Sequence, residues 1–67
     1  MEETSRNDIR KFLKTFGIQA DEAIVAHLAR NPGIQPLRLR ITLSDLTDYE
    51  TPPNPALHLE MDGEIQR

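Results

Sequence analysis

Two histidines, His27 and His58, are the side chains in this sequence best suited to proton transfer or metal ligation near neutral pH. Either task requires them to converge with a carboxylate such as Glu60, because a metal needs several ligands and a general base needs a positioned partner. The pattern sets them apart instead, His27 on a helix flank and His58 on the open face of a strand. Ser44 beside Asp45 is not a nucleophile arrangement, since an activated serine needs a base held against its hydroxyl. Asp45, Asp48 and Glu50 are spaced too irregularly for a calcium loop, and the glycine such a loop requires is missing. The chain has no cysteine, which excludes disulfides, thiol nucleophiles and cysteine-based zinc sites. Gly17, Gly33 and Gly63 are isolated, so neither a phosphate loop nor a dinucleotide fingerprint is present. The expectation is a non-enzyme with no cofactor and no metal.

Charge is the remaining chemistry. The chain carries a net charge of −3, unevenly spread. From Arg6 to Arg40 seven basic residues face three acidic ones, and from Ile41 onward six acids face Arg67 alone. Opposite halves of this kind can attract each other within a chain or between two copies. The basic groups concentrate at Arg10, Lys11 and Lys14 and again at Arg38 and Arg40, and these five residues are the candidates for binding a partner.

The elements that must position them follow from hydrophobic period. At about 100° per residue, Ile9, Phe12, Leu13 and Phe16 share one sector, with Arg10, Lys11 and Lys14 opposite. Ser5 followed by Asp8 reads as a capping variant at the start, and Gly17 as the left-handed stop. Ala20, Ile24, Val25 and Leu28 make a second stripe, with Asp21 and Glu22 in its first turn, and it ends at Asn31-Pro32-Gly33. Two helices are thus expected, at about 5–16 and 20–31.

From Leu37 the period falls to two: Leu37, Leu39, Ile41 and Leu43 alternate with Arg38, Arg40 and Thr42, a half-buried strand. Alternation resumes at Leu57, Leu59 and Met61. The predicted fold is α+β, two amphipathic helices packed on an antiparallel hairpin of 37–43 and 57–62. Asp62-Gly63 signals a turn, after which 64–66 is a candidate third strand. Residues 1–4 read as a frayed tail, and 44–56 as an acidic loop stiffened by Pro52, Pro53 and Pro55. All 67 residues are expected to form one small domain.

A chain of this size buries only about 60% of the surface it exposes when unfolded, so stability is marginal without further help. With disulfides excluded, that help comes from close packing or homo-oligomerisation. The pattern suits a monomer whose helices cap the hairpin, or a homodimer with a continuous four-stranded sheet. No run approaches the length of a membrane span, and the Met1-Glu2-Glu3 start is acidic where a signal peptide is basic. The expected location is the cytoplasm.

The helical block Ile9-Arg10-Lys11-Phe12-Leu13-Lys14, the Gly17-Ile18 step, Ile24, and the closing Met61-Asp62-Gly63-Glu64-Ile65 resemble a family of short bacterial proteins classed only as a domain of unknown function. The resemblance spans most of the chain with gaps, and the six-residue block is its most specific part. It implies a compact bacterial α+β domain and brings no activity with it. The chain departs from that pattern at Asn31-Pro32-Gly33 and in the proline-rich loop.

Two functions compete. The first is a non-catalytic protein-interaction or accessory module, binding another protein or itself through the basic helix face or the Arg38/Arg40 strand. The second is a helix-turn-helix-like nucleic-acid binder using the basic face of the first helix. Asp21, Glu22 and Ala23 stand where base-contacting residues belong, and the pI of about 5.2 opposes polyanion binding. Membrane-surface binding would need the Phe12/Phe16 stripe, which the expected core already uses.

Overall fold

The computed structural model describes residues 2–67. Its elements are α1 (Glu3–Arg30), β1 (Leu37–Ser44) and β2 (His58–Ile65). The chain divides into two compact units, Met1–Pro32 and Gly33–Arg67.

The first unit is one helix, which corrects the expected pair at 5–16 and 20–31. Gly17 lies inside α1, and no glycine among the described residues takes a positive φ. The physical reason is one of magnitude. An interior glycine costs about 1 kcal/mol relative to alanine, whereas ending a helix there and starting another forfeits backbone hydrogen bonds and repeats the nucleation cost. Good helix formers on both sides, Leu13 and Lys14 before it and Ala20, Glu22 and Ala23 after it, carry the chain across. On the continuous helix Ile9, Leu13, Phe16, Ala20 and Ile24 advance by three or four residues at a time along one face, with Leu28 at its margin and Val25 on the far side.

The helix also begins earlier than Ser5. Glu2 is extended at the N-cap, without a side-chain cap bond, and its carbonyl accepts from the Arg6 N–H at 3.1 Å. Ser5 and Asp8 are therefore interior, and Glu3 is the acid that meets the positive helix end. At the other end the expected stop holds. The Asn31 backbone N–H and side-chain Nδ2 both donate to the His27 carbonyl, at 3.0 and 2.9 Å, and Pro32 cannot continue the ladder.

The second unit is a two-stranded antiparallel hairpin. Its register pairs Leu37 with Ile65, Arg38 with Glu64, Leu39 with Gly63, Arg40 with Asp62, Ile41 with Met61, Thr42 with Glu60, Leu43 with Leu59 and Ser44 with His58. Directly opposed residues share a face. One face is therefore wholly apolar apart from Gly63, and the other carries only charged, hydroxyl and imidazole groups.

This register overturns the turn expected at Asp62-Gly63 and with it the third strand at 64–66. Both residues lie within β2, and Glu64 and Ile65 complete that strand. Asp-Gly is a turn signal only while nothing else claims the aspartate, and Arg40 claims it across the strands. Leu57 falls just before β2, and Ser44 is the last residue of β1.

Neither unit supplies a core. Among the described residues no side chain is buried; Phe12 is 65% exposed, Phe16 44%, Ile41 47% and Met61 60%. No helix among the described residues is long and apolar enough to cross a membrane.

Candidate protein-interaction surface

The five basic candidates fall into two groups, one in each unit. Lys11 and Lys14 lie on the side of α1 away from the Ile9/Leu13/Phe16 stripe and Arg10 on its flank, and all three are exposed. Among the described residues none of the three is in an ion pair. Their positive charge is uncompensated by geometry and available to an acidic surface.

Arg38 and Arg40 differ from each other. Arg40 grips Asp62 with a two-pronged bond, Nε to Oδ1 at 2.7 Å and Nη2 to Oδ2 at 3.1 Å, and its Nε also lies 3.8 Å from Glu60 Oε1. Glu60 in turn reaches His58 Nε2 at 3.8 Å. The fork geometry matches a guanidinium to a carboxylate, so Arg40 is a structural clasp of the hairpin. Arg38 stands opposite Glu64, whose carboxylate instead accepts from Gln66 Nε2 at 2.7 Å. Among the described residues Arg38 forms no ion pair. Gly63, opposite Leu39, leaves a hollow of about 150 Å³ lined by Arg38, Leu39, Arg40, Asp62 and Gly63.

His27 sits in the last turn of α1 beside Asn31 and His58 at the start of β2 beside Glu60. No group of three or more His, Asp or Glu among the described residues is arranged to hold a metal.

Two features escaped the sequence. Asp62 was hidden by its glycine neighbour, although its even spacing from Glu60 and Glu64 put it on their face. The second lies in the loop after β1. Asp45 Oδ1 accepts from the Thr47 backbone N–H at 2.9 Å, an Asx-turn that the Asp45-Leu46-Thr47 spacing allows, and Asp45 Oδ2 accepts from the Tyr49 hydroxyl. Asp45, Tyr49, Pro52 and Pro53 with their neighbours surround a concavity of about 260 Å³.

These bonds set a pH window. The Tyr49 hydroxyl, followed by Thr47, holds the Asp45 carboxyl below the usual carboxylate range, and Arg40 does the same for Asp62. A depressed carboxyl contributes stability above its unfolded pKa and loses that contribution as pH falls through its folded value, below about 4. The Tyr49 phenol is pushed up, first by its bond to Asp45. Its contribution is complete below the unfolded value near 10 and is lost as pH rises past the folded one. Tyr49 is the sole tyrosine, so its fluorescence should stay flat from about pH 5 to 9 and change at both ends. In Asp45→Asn the alkaline change should move down toward the ordinary phenol range; an unmoved titration would show that the bond does not form in solution.

No protein-family model, curated protein or solved structure matches this chain.

Proposed function

We propose that this chain is a non-catalytic protein-interaction module working in the cytoplasm. The observation that carries the reading is the coincidence of two amphipathic elements, a helix with one apolar stripe and a hairpin with one apolar face, with no buried side chain among the described residues. Elements of this kind gain most of their stability when the apolar side meets another surface. The charged sides, Arg10, Lys11 and Lys14 on α1 and Arg38 on β1, then select an acidic partner and set its orientation. Within the resemblance to the family of short bacterial proteins, the six-residue block is the part of α1 that presents this basic face.

The helix-turn-helix alternative loses its geometry, because residues 3–30 form one continuous helix with no turn to set a recognition helix at an angle.

The test is photo-crosslinking from α1 in cell lysate, followed by titration of the captured protein against the purified chain. Reversing Arg10, Lys11 and Lys14 to glutamate should weaken binding at least tenfold, and less so at high salt, where exposed charges are screened. An unchanged dissociation constant would eliminate the helix face as the contact and leave Arg38.

A further inference from the structure

The sheet has two strands, so each strand has an edge whose outward N–H and C=O groups meet no other strand. Such edges are templates for another chain, and proteins usually block them with charge, proline or bulges. The two edges here are not equivalent. β2 carries Glu60, Asp62 and Glu64 on its polar face, and Gly63 interrupts its apolar one. β1 carries Leu37, Leu39, Ile41 and Leu43 without a break, and its polar face has two arginines followed by two hydroxyls, Arg38 and Arg40 and then Thr42 and Ser44.

Register decides what can pair with what. Two antiparallel copies of one strand keep like faces together only when the numbers of opposed residues have an even sum; an odd sum sets leucine against arginine throughout. For β2 against β2, centring on Glu60 opposes Glu60 to Glu60, on Met61 it opposes Glu60 to Asp62, and on Asp62 it opposes Asp62 to Asp62. Like charges directly opposed disfavour all three.

For β1 against β1, centring on Leu39 or on Arg40 likewise opposes arginine to arginine. Centring on Ile41 does not. Ile41 then meets Ile41 and Leu39 meets Leu43 on the apolar face, while Arg40 meets Thr42 and Arg38 meets Ser44 on the polar one. The two Arg40 side chains become diagonal neighbours, each already bound by its own Asp62. Moving the centre one residue further, to Thr42, shortens the pairing. The Ile41 register gives the longest pairing of β1 with itself that opposes no like charges.

We propose that β1 is a homodimerisation edge: a second copy of this chain adds its β1 antiparallel about a two-fold axis at Ile41, giving one sheet in the order β2-β1-β1-β2. The two apolar faces then form one continuous surface, and the sheet gains the three or more strands that independent stability needs, where a lone hairpin is marginal. Both β1 edges are consumed, so the assembly closes at two copies. The outer edges are the acidic β2 strands, which repel further copies of themselves. This inference rests on the protein-interaction reading and names the partner for one of its surfaces.

The test combines sedimentation equilibrium with cross-linking on the full chain, which has no cysteine of its own. Ile41→Cys places the two thiols against each other across the axis, and mild oxidation should yield a covalent dimer. Met61→Cys lies on the same face one strand further out, where the two thiols are about 14 Å apart, three strand spacings, and should cross-link at least tenfold more slowly.

Thr42→Arg opposes arginine to Arg40 of the second copy at two symmetric places, while facing Glu60 favourably within its own hairpin. It should weaken dimerisation about tenfold and leave the hairpin's circular dichroism intact. Monomers at all concentrations, open-ended association from β1 meeting β2 of the next copy, or Met61→Cys cross-linking as fast as Ile41→Cys would each overturn the proposal. A chain that stays monomeric, yet loses its captured partner on reversal of Arg10, Lys11 and Lys14, overturns the dimer edge alone and leaves the interaction reading standing.

Discussion

Gly17→Pro should cut α1 in two. Proline removes an interior hydrogen bond and clashes with the preceding turn, costing about 3 kcal/mol or more in a helix interior. The opposite substitution, Gly17→Ala, should raise helicity, because a Cβ at position 17 meets nothing within 4 Å and the backbone there is already helical. The expected gain is about 0.5–1 kcal/mol. Circular dichroism at 222 nm reads both. A hinge at Gly17 would reverse the order: proline would be tolerated between two helices, and alanine would cost stability by opposing a left-handed residue. The pair of variants therefore tests the continuity of α1 directly, and any function that needs the basic face of a single long helix should follow the same order.

The second large effect is expected from the loop between the strands. Residues 45–57 separate Ser44 from His58, which are themselves a directly opposed pair. Replacing these thirteen residues with Asn-Gly supplies the turn chemistry a two-residue connection requires. It should stabilise the hairpin by about 1.5 kcal/mol through lower loop-closure entropy. Thermal unfolding followed by strand signals measures this, and amide exchange should still show Arg40 opposite Asp62. A hairpin that unfolds instead would show that the Asp45, Thr47 and Tyr49 bonds help to hold the strands. A hairpin that survives but no longer binds its partner would place recognition in the loop and its concavity.

Much of this architecture is legible in residue spacing. The alternation beginning at Leu37 reports a strand with one apolar side, and Asn31-Pro32 reports where the helix must stop, because both are consequences of backbone geometry acting on adjacent residues. Both basic clusters are equally local. The reading fails at two glycines. Gly17 and Gly63 can each end an element at little cost, and sequence spacing marks that permission without showing whether it is used.

What resolves the two cases differs. At Gly17 the cooperative helix on either side outweighs a penalty of about 1 kcal/mol. At Asp62-Gly63 the outcome depends on a residue 22 positions away, since Arg40 binds the Asp62 carboxylate and draws the dipeptide into the ladder. The sorting of Arg40 from Arg38, one clasped by Asp62 and the other in no ion pair among the described residues, likewise needs the register. The sequence by itself determined the period of each segment, the division of charge and the classes of chemistry excluded, because these depend on neighbours along the chain. Only the tertiary structure decided which turn signals go unused and which arginine is occupied, because those depend on which distant residues come to lie opposite one another.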